Sequence, residues 1–381
     1  GSDVTFTASA AYFTAGMIGK YIRLANGTTV DGFIRVKTIT NSTNAVCTVL
    51  VDMTTNFTFG SVANATSFWQ ISDWGIDVGY PKTVTAYQGR LIFGGSIYKP
   101  DTIWGSRISN VFDFMEVPNV NTTGVYGYAS SAYTADNSRP FTLTPNTAQS
   151  SNIVTLSSSK TLNIHTDALE IVAYGSGGAL GPNNVVFDSS SSFGASPVQP
   201  VRVNNYSTYV QANGHRVRDL TYNFTEDQYK SQDLTFTAEH LFVRTQTADI
   251  DGSASGLEAA AFFPVDDIQE IVRHETRSSI LYCKTRSGRL YFVTLDRDYA
   301  VNAWGRVVLG NGTTQTFPYD TSPKVLSLCA DPTTNKLTLL VERTINSVKT
   351  VTTEVMQDAW EYKNSHRTAP GYYAGSSPAV Y

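Results

Sequence analysis

Apolar residues in the first part of this chain come in short bursts. "YIRL" (21–24), "GFIRVKTI" (32–39), "AVCTVLV" (45–51) and "SFWQIS" (67–72) mix apolar and polar positions over four to eight residues, with "ANGTT" and "NSTN" between them. Short alternating runs are the mark of half-buried strands, and Gly/Asn/Ser clusters between them are turn chemistry. Residues 1–73 therefore predict a small antiparallel β domain, with "FTAGMIG" (13–19) as a turn or a single helical turn.

From Gly75 the rhythm changes. "GYPKTVTAYQGRLIFGGS" (79–96) and "SGRLYFVTLDRDYAVNAWGRVVL" (287–309) both carry Gly-Arg-Leu ahead of an aromatic and β-branched run, and "SSKTLNIHT" (158–166) and "TNKLTLLVE" (334–342) are weaker versions. Turn signals at Gln88-Gly89, Ser158-Ser159, Asn213-Gly214, Ser287-Gly288 and Thr334-Asn335 recur at about 50–70 residues, each followed by a basic residue and an apolar strand. That spacing is near one to one and a half propeller blades, whose four-stranded meanders need neighbours to bury their faces. The expectation is an all-β, β-propeller-like domain of about six blades over 74–362, followed by an extended C-terminal tail over 363–381. A pair of β-sandwiches is the competing arrangement. On the propeller reading, Arg90-Leu91 and Arg289-Leu290 occupy equivalent places, the leucines buried and the arginines leaving the turn toward a carboxylate or carbonyl. Trp104 ("TIWGS") and Trp304 ("NAWGR") each end an apolar strand and are expected to anchor seams between sheets.

Composition agrees with strands. Charged residues are only 16% and aromatics 12% of the 381 residues, which favours pleated structure over helix. The net charge of −4 argues against a protein that grips many phosphates, since that requires a basic stripe. Cys47, Cys283 and Cys329 are widely spaced with no C-x-x-C pair, so free, buried thiols and a reducing compartment are expected. No apolar run is long enough for a membrane-spanning helix.

No motif announces chemistry. The histidines at 165, 215, 240, 274 and 366 lack metal-ligand or triad spacing, and there is no nucleophile elbow or phosphate loop. Thr247–Glu258, "TADIDGSASGLE", partly fits a calcium loop, but Thr stands at its first position and its flanks are not helical, so a polar surface loop is expected. No catalytic residue, metal or cofactor is expected. "RDLTYNFTEDQYKSQDLTFTAEH" gathers carboxylates, of which Asp219, Asp227 and Asp233 are the alternative pair-forming groups for glycoside cleavage. Nearby Tyr206, Tyr209, Tyr222, Phe224 and Tyr229 are alternative sugar platforms. Ion pairs with Arg216, Arg218 and Lys230, and packing of strand faces, explain the same residues more simply.

The stretch "GYPKTVTAYQGRLIFGGSIYKPDTIWGSRISNVFDF" (79–114), with Gly79-Tyr80-Pro81, Arg90-Leu91 and Trp104, resembles a signature of tail nozzle proteins of short-tailed bacteriophages, also called tail tubular protein B or tail stabilisation proteins. Further blocks follow in order at 141–175, 214–242, 279–310 and 335–356, so the resemblance spans about Trp74 to Met356. The opening segment is similar to a small β module named after the first catalytic cysteine half-domain of ubiquitin-activating enzymes. That name implies no chemistry for Cys47.

The resemblance implies a structural protein of the virion tail, assembled in the bacterial host cytoplasm. It implies a homo-hexameric ring that meets the portal and adaptor ring and the tail fibre proteins, with contact to the host envelope. DNA would pass through at ejection without sequence-specific binding. Family members carry more sequence on both sides, so the segments that touch neighbouring rings are expected to lie outside this chain. The alternative is an adsorption module that binds or degrades surface polysaccharide.

Overall fold

The structure, a computed structural model, describes residues 2–25, 31–51, 69–115, 137–147, 149–242, 266–275, 279–297, 299–309, 323–334, 336–345 and 348–356. The loop Thr247–Glu258, His366 and the tail 363–381 lie outside the described residues. Among those described, the chain is all β apart from two short 3-10 turns, Ala15–Met17 within "FTAGMIG" and Glu239–Phe242. No described helix is long and apolar enough to cross a membrane.

Five strands, β1 (Asp3–Thr7), β2 (Tyr21–Ala25), β3 (Asp31–Ile39), β4 (Asn44–Val51) and β5 (Trp69–Ile71), form an antiparallel sheet in the order β1-β4-β3-β2-β5. Alternation assigns its faces. Ile22, Leu24, Ile34, Val36, Ala45 and Cys47 close over Phe13 on one side, the burial of each Ile, Leu, Val and Phe among them contributing about 1.5–3 kcal/mol. Tyr21 and Arg23 of β2, paired in register with Arg35 and Phe33 of β3, occupy the other side.

Five meander sheets follow. The first is β6 (Thr83–Tyr87), β7 (Arg90–Gly94), β8 (Ile103–Gly105) and β9 (Phe141–Leu143). The second is β10 (Ile153–Ser158), β11 (Leu162–Thr166), β12 (Glu170–Gly175) and β13 (Val185–Ser191). The third is β14 (Val201–Val203), β15 (Tyr206–Val210), β16 (Val217–Asn223) and β17 (Gln228–Asp233). The fourth is β18 (Ile268–Glu275), β19 (Ser279–Thr285), β20 (Leu290–Asp296) and β21 (Val301–Val307). The fifth has three strands, β22 (Lys324–Asp331), β23 (Lys336–Ile345) and β24 (Val348–Met356). In each, chain order is sheet order, the antiparallel meander from which propeller-like architectures are built.

Among the described residues, five meanders follow the N-terminal sheet, their first strands starting at Thr83, Ile153, Val201, Ile268 and Lys324, so that six sheets are present in all. One expectation needs revision: the two Gly-Arg-Leu units differ in sheet position. Arg90 opens the second strand of the first meander, whereas Leu290 opens the third strand of the fourth. Their burial is inverted as well: Arg90 is buried and Leu91 half-buried, while Leu290 is buried and Arg289 half-buried.

The chain divides into two compact units, 1–197 with 222–230, and 198–221 with 231–381. Within the first, Tyr87, Ile92, Ile103 and Phe141 share a core with Leu156, Leu162 and Ile164. Within the second, Val203, Val210 and Val217 pack with Leu281, Val293 and Leu295. There too, Tyr282 and Leu290 pack with Val325, Leu328, Leu337 and Leu339. All three cysteines are free; Cys47 and Cys283 are buried, but Cys329 is exposed because it falls on the outward side of β22. Burial pushes the Cys47 thiol up to about 11 and Cys283 up further.

Candidate functional site

Tyr21, Arg23, Phe33 and Arg35 form a checkerboard on the non-core face of the N-terminal sheet. The Arg23 guanidinium lies 5.4 Å from the Phe33 ring centre, and the Arg35 guanidinium 5.9 Å from that of Tyr21. Opposite them, the chain from Ser72 to Tyr80, strand β8 and the loop from Arg107 to Met115 complete a cleft of about 870 Å³ within the first unit. That volume is in the range of small-molecule and oligomer sites.

The base of the cleft is held by two anchors. Arg23, almost wholly buried, meets Asp113 Oδ1 at 3.2 Å and donates to Met115 O at 2.7 Å. Arg107 Nε donates to the other oxygen of Asp113 at 3.0 Å. One carboxylate thus joins two arginines, which offsets the cost of burying Arg23. The second anchor is Asp73 Oδ2, which accepts the Trp104 indole N–H at 2.8 Å and also faces Thr142 Oγ1 (3.4 Å) and Lys99 Nζ (3.5 Å).

An aromatic wall adds rigidity. Trp74 packs edge-on against Phe93 (5.1 Å) and Trp104 (6.0 Å) and tilts over Phe114 (4.9 Å), arrangements worth about 0.5–1.5 kcal/mol each beyond area burial. The indole nitrogen of Trp74 is shielded from solvent and has no acceptor among the described residues. The rim differs from the wall: Tyr21, Tyr80 and Phe112 are 44%, 66% and 87% exposed.

The signature residues of the sequence gather partly here. Gly79 donates its N–H to Gly75 O at 2.7 Å, turning the chain so that Tyr80 stands at the rim and Pro81 leads into β6. Trp104, 1% exposed on β8, lines the cleft as part of that wall. Arg90 lies elsewhere in the same meander, donating to Ser106 O (2.6 Å), Arg139 O (2.5 Å) and Asn137 O, with Phe141 beneath its guanidinium. In the second unit, Trp304 donates to Leu234 O at 2.8 Å and packs edge-on against Phe242 at 5.5 Å. Leu290 sits in the core beside Val325 and Leu337.

The alternative carboxylates each have a structural partner. Asp219, fully buried on β16, pairs with Arg297 and accepts Thr208 Oγ1 at 2.5 Å. Arg297 lies 4.5 Å from the Tyr206 ring centre, and burial lowers its pKa. Asp233 binds Arg216 at 2.7 Å and accepts the N–H and hydroxyl of Thr235 at 2.8 and 2.7 Å. Asp227, at φ 50°, closes a turn and accepts the Tyr222 hydroxyl. That bond raises the pKa of Tyr222.

Of the tyrosines, Tyr209 is buried and bonded to Ser231 at 2.7 Å, and Tyr222 packs edge-on against Tyr229 at 5.3 Å. Phe224 is exposed. The described histidines also have local roles. His165 is buried against Ser157 Oγ at 3.1 Å, and burial lowers it to about 3. His215 Nδ1 lies 3.0 Å from Asn213 O, His240 is exposed in the 3-10 turn, and His274 is buried beside Tyr282. Among the described residues no group of three or more His, Cys, Asp or Glu could hold a metal ion.

Sequence reasoning passed over Tyr21, Arg35 and Phe112. A signal for the first two existed: "YIRL" and "GFIRV" each place an aromatic residue and an arginine two apart on the non-core face. Their meeting depends on β2–β3 register, which the sequence leaves open.

No family model matches the chain, and no curated protein does. Among solved structures, the chain is similar to a protein from Lactobacillus plantarum, covering 92% of this chain and 84% of that one, at 11% identity and a TM-score of 0.36. So slight a likeness carries no argument, and the class of the protein rests on its own strands: all-β, with propeller-like meanders.

Proposed function

We propose that this chain is a structural component of a short-tailed bacteriophage tail, a nozzle-type protein whose copies assemble into a hexameric ring around the DNA-ejection channel. One observation carries the reading: the sequence blocks that resemble nozzle proteins fall in order on the meanders, 79–114 on β6–β8, 141–175 on β9–β12, 214–242 on β16–β17, 279–310 on β19–β21 and 335–356 on β23–β24. Resemblance concentrated on strands and tight turns is resemblance in shape-building text. A mildly acidic chain also suits a channel wall, since it releases rather than holds a passing polyanion. Heterologous contacts between identical wedges close into a ring when the rotation permits. On this reading the protein works by assembly, without chemical turnover.

The test is density for the intact virion of the phage that encodes this chain. Fitting the meanders into the wall of the axial channel is the expected result. Density for them only in fibres or spikes would overturn the nozzle reading. Separately, incubation with host surface polysaccharide should release no new reducing ends. Cleavage that disappears in Asp219→Asn, Asp227→Asn or Asp233→Asn would refute the absence of turnover.

A further inference from the structure

We propose that the cleft of the first unit binds an acidic oligosaccharide, a stretch of uronate-type sugars, independently of whether the chain lines a DNA channel. Two features of the cleft point to this chemistry. The first is the state of its rings. Trp74 and Trp104 in the wall are packed and serve the fold, whereas Tyr21, Tyr80 and Phe112 at the rim leave much of their surface in water. Solvent-facing aromatic surface gathered at a concave site marks a place for a partner. Sugar rings fit such surface well, because their axial C–H face is apolar while their edge carries hydroxyls.

The second is the balance of charge. Three arginines, Arg23, Arg35 and Arg107, line the cleft with two aspartates, Asp73 and Asp113. Asp113 is engaged by Arg23 and Arg107, and Asp73 by Trp104, Thr142 and Lys99. Arg35, exposed and lying over Tyr21, has no carboxylate partner among the described residues. One planar cation therefore remains at the mouth, beside exposed rings, with the local carboxylates already occupied. A ligand carboxylate would form a charge-assisted, two-pronged bond to Arg35 while its ring lies on Tyr80 or Phe112.

A single-stranded nucleic acid would also stack on the rings, but its phosphates recur at every residue and need a basic track, which one unpaired arginine does not supply. A proline-rich peptide suits an aromatic groove but leaves Arg35 without a counter-charge.

Trp74 and Trp104 make intrinsic fluorescence a direct probe. The purified chain is titrated with tetragalacturonate, cellotetraose, oligo-dT and a proline-rich decapeptide, and heats of binding are measured in parallel. Saturable binding of tetragalacturonate is expected, weakening as salt rises. Arg35→Ala should weaken it about tenfold and Tyr80→Ala about fivefold, each equivalent to about one such contact. Both residues are exposed, so unchanged circular dichroism and melting will show that the variants fold. Phe236→Ala, which alters an exposed ring outside the cleft, should leave the affinity unchanged. Absence of saturable tetragalacturonate binding at millimolar concentration would overturn the proposal. So would equal affinity for cellotetraose, tighter binding of oligo-dT or the peptide, or affinity indifferent to both cleft variants.

Discussion

The hairpin between β6 and β7 and that between β19 and β20 contain the same triplet and use it in opposite senses. In the first, Gln88 and Gly89 form a two-residue loop with both φ angles positive (47° and 74°), and Tyr87 pairs directly with Arg90. This is the primed turn that matches strand twist. It sends the Arg90 side chain inward, where three backbone carbonyls receive it. In the second, Arg286, Ser287 and Gly288 make a three-residue loop, with Gly288 at φ 84° and the Arg289 carbonyl accepting the Thr285 N–H at 3.0 Å. There the inward place goes to Leu290. Side chains alternate with period two, so a change in turn type that moves the phase by one position exchanges which residue is core. Identical letters do not mean identical pleat phase.

The largest expected break in this comparison is at the two arginines. Arg90→Ala removes a buried donor and leaves three carbonyls without it, so urea unfolding should show a loss of about 4 kcal/mol. Arg289→Ala should cost less than about 1 kcal/mol. Equal losses would mean that the two hairpins share one phase after all.

The leucines should respond in reverse. Leu290→Ala opens the core beside Val325 and Leu337 and is expected to cost about 3 kcal/mol, against about 1 kcal/mol for the half-buried Leu91→Ala. The same unfolding measurement checks it, and a larger loss at Leu91 would reverse the assignment of inward positions.

The weaker copy at 158–166 sharpens the contrast, since its strand β11 is buried at every position and holds His165 against Ser157. Burial keeps that imidazole neutral down to about pH 3, below its ordinary 6.5. The unfolded chain takes up the proton first, so stability falls as pH drops through 6.5 and continues to fall toward 3. Between pH 7 and 5 this group should remove about 2 kcal/mol, and His165→Gln should flatten that part of the profile. An unchanged slope in the variant would count against a neutral buried His165.

The smallest effect separates the two glycines. Both positive φ angles penalise alanine by about 1–2 kcal/mol. A Cβ on Gly288 would also sit 2.7 Å from Lys324 Cβ and 3.0 Å from its Cα, whereas one on Gly89 meets nothing nearer than Ile108 Cγ2 at 3.8 Å. Gly288→Ala should therefore exceed Gly89→Ala by about 1 kcal/mol, visible as a lower melting temperature.

Much of the architecture was legible because it is local. Strand runs such as "YIRL", "AVCTVLV" and "SILYCKT" lie on β2, β4 and β19, and the turn pairs Gln88-Gly89 and Ser287-Gly288 close hairpins. Alternation and turn chemistry depend on residues a few positions apart, and the chain itself specifies them. The spacing of the sheets was less legible: their first strands start at Thr83, Ile153, Val201, Ile268 and Lys324, at uneven intervals that turn signals alone do not set.

The site was decided elsewhere. Asp219, Asp227 and Asp233 are close in sequence, yet one meets Arg297, one a tyrosine across a turn, and one Arg216 and Thr235. Tyr21, Arg35, Tyr80 and Phe112 span 92 positions from first to last, and only the register of β2 on β3 and the path of two loops bring them to one cleft. The sequence by itself determined that these residues would be strands and turns, because backbone preference and period-two burial are short-range. Which side chains face one another, and which carboxylates are already taken, is set by packing between segments far apart in the chain, and only the tertiary structure decides it.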